Sequence, residues 1–291
     1  MSISRELAFI EALRAMATHP AARGLADDCA VLEIGGEKLV LTHDTMVEGV
    51  HFLSGQDLED VGWKLVATNV SDLAAKGARP LAALLSYQLG GDDLAFLRGM
   101  QSALQHYGDA ALLGGDTVSA AGPKTVGLTL IGRATHVPVP SRSGARPGDG
   151  VWISGPVGAA MLGLEALRSG SGDSTAYRRP QARLGCGQEL APLVSAMMDL
   201  SDGLLLDARR MAEASGVTIA LDRTAIPIAA PEARRDEALR WGDDYQLLFS
   251  APPEATLPSG YHRIGTVRPQ GPEPLLLDGA APAGTLGYEH G

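Results

Sequence analysis

Asp44 sits in the stretch Leu41-Thr42-His43-Asp44-Thr45-Met46-Val47-Glu48-Gly49-Val50-His51-Phe52, where an apolar run gives way to carboxylate, hydroxyl and imidazole side chains. Such groups at the end of a strand are oxygen and nitrogen ligands on a rigid support. Asp27-Asp28 lies upstream, and Asp72, Asp116, Asp199 and Asp202 recur downstream. One Asp near a Gly is ordinary turn chemistry. A recurring set of carboxylates points instead to hard divalent cations, and Mg²⁺ in such a setting points to phosphate. The histidines His43 and His51 have no third partner nearby, and Cys29 and Cys186 lie far apart outside any CxxC, so the chain offers no zinc site and no disulfide framework.

Absent motifs narrow the chemistry. There is no Gly-Lys pair and hence no Walker A loop, and G-x-G-x-x-G, H-R-D and G-x-S-x-G are also missing. Metal-bridged polyphosphate binding fits what is left. Two phosphoanions repel each other, so joining them requires neutralised charge and enforced alignment. The protein carries a formal charge of −10, which argues against nucleic acid as a partner. An acidic chain that binds polyphosphate must hold it through metal ions rather than through Lys and Arg alone.

The elements that position these residues follow from periodicity. Apolar runs at 30–34 and 38–41 flank Gly35-Gly36-Glu37, a hairpin signal. Asp28 then enters the first strand and Thr42-His43-Asp44 leave the second, so antiparallel pairing brings Asp28 near Asp44. Alternation puts Thr42 and Asp44 on one face and turns His43 to the other. Residues 57–76 carry Leu58, Val61, Leu65 and Leu73 at helical spacing, closed by Gly77 and Pro80. Asn69, Ser71 and Asp72 interrupt this helix with short polar side chains, which predicts a turn that faces a ligand or a break. A helix is expected at 4–16 with Ser4 as its N-cap, a strand at 81–89, a helix at 94–107 and a strand at 125–134. Between the last two, a short strand at 110–113 runs into Gly114-Gly115-Asp116-Thr117, where glycines allow close backbone approach to a ligand beside a carboxylate.

Residues 136–150, rich in Pro, Gly and Ser, read as a linker, and Arg142 between two serines could hold a phosphate. Beyond it, strands at 151–154, 217–221, 245–250 and 261–267 alternate with helices at 157–168, 183–190, 204–215 and 233–241. The fold class is therefore mixed α/β (α+β) in two domains, 1–137 and 138–291. No apolar run reaches the roughly 18 residues needed to span a membrane. The first residues carry Glu6 and Glu11 within their apolar periodicity, unlike a signal peptide, and a cytoplasmic location is expected.

Taken together, Asp27-Asp28-Cys29-Ala30, the run from Asp44 to Phe52, Asn69-Val70-Ser71-Asp72-Leu73-Ala74-Ala75-Lys76-Gly77-Ala78, Gly114-Gly115-Asp116-Thr117, Arg142-Ser143-Gly144-Ala145-Arg146-Pro147-Gly148-Asp149, Asp199-Leu200-Ser201-Asp202-Gly203-Leu204 and Gly242-Asp243-Asp244-Tyr245 resemble the thiamine-monophosphate kinase family, in order and over nearly the whole chain. The resemblance implies a fold shared with aminoimidazole ribonucleotide synthetase. It implies ATP-dependent phosphorylation of thiamine monophosphate to thiamine diphosphate, several Mg²⁺ ions, and a homodimer in which N-terminal domains pair. By position it implies Asp28, Thr42, Asp44, Asp72, Asp116, Asp199 and Asp202 as metal ligands. Asp28, Tyr107, Gly115, Asp116, Arg142 and Ser201 would face ATP, and His51, Asp243 and Tyr288 would face thiamine monophosphate. No covalent catalytic residue is implied. The chain reads Trp241-Gly242-Asp243-Asp244-Tyr245-Gln246 where the family commonly has Gly-Gly-Glu-Asp-Tyr-Glu. Two other readings stay open: a related enzyme of the same fold with another acceptor, and a Mg²⁺-dependent nucleotide sensor without turnover.

Overall fold

The computed structural model describes residues 5–289. It is a mixed α/β structure built on two sheets. Helix α1 (Arg5–Arg14) comes first; the cap expected of Ser4 lies outside the described residues. Strands β1 (Ala30–Ile34) and β2 (Glu37–Val47) then pair as an antiparallel hairpin. Its turn is Gly35-Gly36, with φ of 60° and 83°. A two-residue turn with positive φ at both positions matches the twist of its strands and suits glycine. Helix α2 (Leu58–Ala75), β3 (Ala78–Gln88), α3 (Asp93–His106), β4 (Ala111–Val118) and β5 (Thr125–Ala134) complete the first sheet, ordered β1-β2-β5-β3-β4.

The second half contributes β6 (Gly150–Ile153), α4 (Ala159–Ser169), α5 (Thr175–Arg178), α6 (Leu184–Leu190), β7 (Ala196–Asp199), α7 (Leu204–Ser215), β8 (Thr218–Leu221), α8 (Arg235–Ala238), β9 (Leu247–Ala251), β10 (His262–Arg268) and β11 (Leu275–Leu277). Its sheet runs β11-β8-β10-β6-β9-β7, which leaves β7 at one edge.

Four expectations change. β2 does not end at Leu41: Thr42 to Val47 stay in the strand because β5 pairs with it as far as Val47↔Thr125. β4 likewise continues through Gly114-Gly115-Asp116-Thr117, which pair with Leu84 to Tyr87 of β3. The helix expected at 233–241 shrinks to α8, preceded by a 3₁₀ turn at Glu232–Arg234. Helix α2 runs unbroken through Asn69, Ser71 and Asp72, so those residues make no break.

Helix α2 is the spine of the molecule. Asp57 caps it by accepting from the Glu59 N–H at 2.9 Å, and Glu59 and Asp60 in the first turn complement the helix dipole. It touches the first sheet, α3, α6 and β7, and is buried on nearly every side. A helix enclosed all round need not be amphipathic. The approach of α3 is backbone to backbone: a Cβ at Gly99 would lie 1.8 Å from the Glu59 carbonyl oxygen, and one at Gly62 would lie 2.2 Å from that of Phe96. One apolar core joins α2 and α3 to the first sheet through Val61, Leu65, Phe96, Leu128 and Leu130. Another joins α7 to the second sheet through Leu204, Met211, Val151 and Ile219. Ala74 and Ala75 meet Met197, Leu247 and Phe249 in the seam between them. Each large apolar side chain buried there contributes about 1.5–3 kcal/mol, which fixes α2 against both sheets at once.

Candidate active site

Lys64, Thr68, Asp72 and Lys76 follow one another at intervals of four along α2 and its C-cap. That spacing forms a slowly drifting stripe along one side, about 18 Å long at 1.5 Å per residue. Asp72 stands near its middle. Its Oδ2 accepts a hydrogen bond from Thr42 Oγ1 on β2. One residue earlier, Ser71 Oγ donates to Asp199 Oδ2 at 2.7 Å, on β7. Carboxylate oxygens of Asp28, Asp72 and Asp199 lie within 4.8 Å of one another. Asp44 joins this group through α2, its backbone N–H donating to Asn69 Oδ1 at 3.3 Å.

The electrostatics divide the carboxylates into two sets. Burial, reinforced by Asp44 and Asp199, pushes Asp72 well above the usual carboxylate range. Burial and then Asp28 do the same to Asp199, and burial raises Asp44. Asp27 and Asp28 are buried too, but there the nearby cations win and both are held below the ordinary value. Lys76 Nζ is 2.5 Å from Asp27 Oδ1 and 2.6 Å from Asp28 Oδ2, and Arg142 Nη2 is 2.5 Å from Asp28 Oδ1. Further along, Arg210 pairs with Asp202 and Asp207, where burial and Asp202 push Asp207 up to about 7.

The donor set of the uncompensated group is carboxylate and hydroxyl oxygen, the hard ligands that Mg²⁺ takes. Cys29 is close by, but burial and Asp72 hold its thiol well above its usual range, so it supplies no soft thiolate ligand. Arg142 Nε is buried without a hydrogen-bond partner. An unpaired buried polar donor costs about 1–3 kcal/mol. A donor open to an anion beside carboxylates that no Lys or Arg neutralises fits a metal–phosphate ligand.

From this cluster a cleft of about 600 Å³ runs past Thr68 to Lys64. His51 Nδ1 accepts the Val47 N–H at 3.0 Å, which in the neutral ring puts the proton on Nε2. Lys64, 1% exposed, donates to the His51 carbonyl at 3.1 Å and to Asp243 Oδ2 at 2.7 Å, with its ammonium 4.0 Å above the Tyr177 ring. The other Asp243 oxygen accepts from Tyr245 Oη at 2.8 Å. Asp243 and Tyr245 both have positive φ, 64° and 49°. Non-glycine residues hold that conformation only when their surroundings enforce it. Here Asp243 N–H donates to the Ser201 carbonyl and Tyr245 N–H to that of Leu200, each at 2.9 Å. Tyr288 N–H reaches the Asp202 carbonyl, also at 2.9 Å, so the tail is fastened to the same loop.

The fold therefore gathers Asp28, Asp72 and Asp199 with Thr42 and Arg142 in one cluster, and Asp44, Asp72, Asp199, Ser201, Asp202, His51, Asp243 and Tyr288 around one cleft. His43 turns away as alternation predicts, its Nδ1 2.9 Å from Thr129 Oγ1. Three expected residues are not brought in by this chain. β4 is the far edge of the first sheet, and the cross-strand row Thr45–Gly127–Ser86–Asp116 puts Asp116 with Thr45, on the face opposite Asp44. Gly115 shares that edge. Tyr107 lies behind α2, its hydroxyl accepting the Ala182 N–H at 3.0 Å. Lys64, Lys76 and Tyr177 were not singled out from sequence, and Asp27 was named there only beside Asp28. The interval-of-four polar stripe within an otherwise apolar helix was the available signal for Lys64 and Lys76.

Residues 26–134 match the family model for the AIR synthase related protein, N-terminal domain, and residues 146–257 that for the C-terminal domain. The chain is 37% identical over 257 residues to the thiamine-monophosphate kinase of Caulobacter vibrioides, covering 80% of this chain and 72% of that one. It is 35% identical over 249 residues to the enzyme of Escherichia coli strain K12, covering 79% and 76%. Among solved structures, AaThiL complexed with AMPPCP and TMP matches with a TM-score of 0.87 at 31% identity, over 100% of this chain and 99% of that one. Thiamine-monophosphate kinase from Stenotrophomonas maltophilia K279a gives 0.76 at 32% identity, over 97% and 99%.

Proposed function

This chain belongs to the thiamine-monophosphate kinase family of AIR synthase related proteins, and on that premise we propose that it transfers the γ-phosphoryl group of ATP to thiamine monophosphate, giving thiamine diphosphate and ADP. The observation that carries this reading is the cluster of Asp28, Asp72 and Asp199, two of which, Asp72 and Asp199, line a cleft together with His51, Lys64 and Asp243. That AaThiL takes up both AMPPCP and TMP supports a two-substrate site of this kind.

We assign several Mg²⁺ ions to Asp28, Thr42, Asp44, Asp72, Asp199 and Asp202, with Asp116 a further ligand. Bound there, Mg²⁺ supplies the positive charge that lets donor and acceptor phosphates approach. Arg142 offers its unpaired Nε to the nucleotide, and Ser201 faces the same end; Gly115 and Tyr107 are assigned to ATP by their family positions alone. His51, Asp243 and Tyr288 are assigned to thiamine monophosphate, with Lys64 holding Asp243 and the His51 carbonyl in place. The acceptor phosphate is already an anion at neutral pH. One of its oxygens bonds to Pγ as the bond from Pγ to the ADP oxygen breaks, with no base needed and no enzyme intermediate.

We further propose a homodimer formed through the first sheet. All eight positions of β4 are exposed, as are Leu84, Leu112, Leu113 and Val118 on or beside that edge. An unpaired apolar edge of this kind invites strand or face pairing. Pairing with a second copy would also give Gly115 and Asp116 a route to a nucleotide they do not reach within their own chain. The domain limits 1–137 and 138–291 and a cytoplasmic location belong to the same reading; among the described residues no helix is long and apolar enough to cross a membrane.

The test is incubation with Mg-ATP and thiamine monophosphate, followed by chromatography. Thiamine diphosphate should form in equal amount with ADP. Tight nucleotide binding with no product would replace this reading with that of a sensor.

A further inference from the structure

Lys76 is the charged residue of the cluster to which the reaction above gives no task. It is 0% exposed and stands at the C-cap of α2. Its ammonium donates to Asp27 Oδ1 at 2.5 Å and to the Met197 carbonyl on β7 at 3.2 Å. A lysine is almost never fully buried unless carboxylates compensate its lost hydration. Neutralising Asp27 alone does not explain it. Asp27 already accepts from Arg23 Nη1 at 2.5 Å, Ser141 Oγ at 2.7 Å and the Arg142 N–H at 3.1 Å.

The contact with Asp28 is the informative one. Asp28 is one of the three carboxylates whose oxygens converge. Its side chain is 2% exposed, and Oδ2 lies 2.6 Å from the ammonium. A carboxylate oxygen has more than one lone pair, so this contact leaves Asp28 acceptor capacity for another electrophile. Charge is distributed unevenly around it. Asp27 and Asp28 are matched by Arg23, Lys76 and Arg142. No lysine or arginine of the described residues forms an ion pair with Asp44, Asp72 or Asp199; the ion-paired cations stand at Asp27 and Asp28 and, through Arg210, at Asp202.

We propose that Lys76 is a resident cation of the metal cluster: its ammonium fills, as part of the fold, a position between Asp27 and Asp28 that a metal ion would otherwise take, and divalent ions are confined to the side formed by Asp28, Asp44, Asp72 and Asp199. This rests on the reading of that cluster as a Mg²⁺–nucleotide site. A covalently tethered cation cannot dissociate, so this corner stays neutralised between turnovers and the chain needs one divalent ion fewer than its carboxylates could hold. Lys76 is thus a positioning residue, acting on phosphate only through Asp28.

The experiment counts ions rather than turnover. Mn²⁺ is titrated into the native protein and into Lys76→Met and Lys76→Arg with AMPPCP and thiamine monophosphate present, and free Mn²⁺ is read by electron paramagnetic resonance. Lys76→Met should bind one ion more per chain than the native protein, and Lys76→Arg the native number. If Lys76→Met is unfolded in EDTA but recovers the native circular dichroism spectrum in Mn²⁺, that too supports the proposal, since an ion has replaced the ammonium. A folded Lys76→Met with the native ion count overturns it, as does a variant that Mn²⁺ fails to refold. Absence of bound Mn²⁺ from the native protein would remove the metal-site reading and this inference with it.

Discussion

Asp72 is held by neighbours of opposite kinds: a hydroxyl from Thr42 that favours its charge, and carboxylates of Asp44 and Asp199 that oppose it. Without a cation this balance favours the protonated acid, and with Mg²⁺ it favours the ligand. Asp72→Asn or Asp44→Asn keeps the shape but removes the charge that recruits the ion. Loss of an electrostatic stabiliser of this type typically costs ~10²-fold or more in kcat. Steady-state rates in saturating Mg²⁺ should show that loss, and near-native rates would take the residue out of the site. The same balance fixes a pH dependence for the metal-free protein. Asp44, Asp72 and Asp199 titrate above their ordinary 3.8 in the folded state, and Asp207 at about 7. The folded form then binds more protons than the unfolded one above 3.8, so the stability these groups contribute is complete below 3.8 and falls as pH rises, that of Asp207 being lost through about 7. Asp27 and Asp28 have lowered values, so their contribution changes only below that window. Thermal melting in EDTA should therefore fall between pH 5 and pH 7.5, both chosen to bracket the upper part of the window. Added Mg²⁺ should restore the melting temperature at the higher pH, and a flat profile would contradict this account.

At the scale of the element, α2 carries the argument. Its stripe begins at Lys64 on the acceptor side, passes Asp72 at the metal side and ends at Lys76 beside Asp27 and Asp28. Lys64→Met should therefore affect one substrate selectively. It frees Asp243 from its buried partner, so the KM for thiamine monophosphate should rise at least ~10-fold, about 1.4 kcal/mol, while the KM for ATP stays within a factor of about two. Equal rises in both would mean that the helix as a whole had moved. Much of this element was legible in the sequence. Asp57, Gly77 and Pro80 mark its ends, and the three polar residues at 69–72 mark the turn that faces the cluster. The lysines were not, because on an isolated helix they read as solvated charges; only the enclosure of α2 between two sheets makes them buried cations. The convergence of Asp28, Asp72 and Asp199 was legible in part, because carboxylates are a chemical type that recurs along the chain. Pairing beyond Leu41 and Leu113 was not, since polar and glycine residues end a strand by local preference and only β5 and β3 hold them in register. The place of Asp116 on the far edge was not legible for the same reason: spacing along the chain says nothing about which sheet edge a strand takes.

For the whole molecule, the two sheets clamp α2, and the outer edge of the first is left bare. The proposed second copy across that edge would account for both the exposed β4 and the separation of Asp116 from Asp44. Sedimentation at micromolar concentration should give a dimer, and Leu113→Lys on β4 should shift it toward monomer; a native monomer would leave Asp116 without a role. The central claim is that the assembled site passes the γ-phosphoryl group directly from ATP to the acceptor phosphate. His51 is the residue closest to an alternative, but its Nδ1 already accepts from Val47, which makes Nε2 a donor rather than a nucleophile. The most direct measurement is stereochemical: ATP made chiral by oxygen isotopes and sulfur at Pγ is turned over with thiamine monophosphate, and the configuration at the transferred phosphorus is determined. A single displacement predicts inversion. Retention, or a labelled protein trapped when thiamine monophosphate is withheld, would mean two displacements through a phosphorylated residue and would contradict the account.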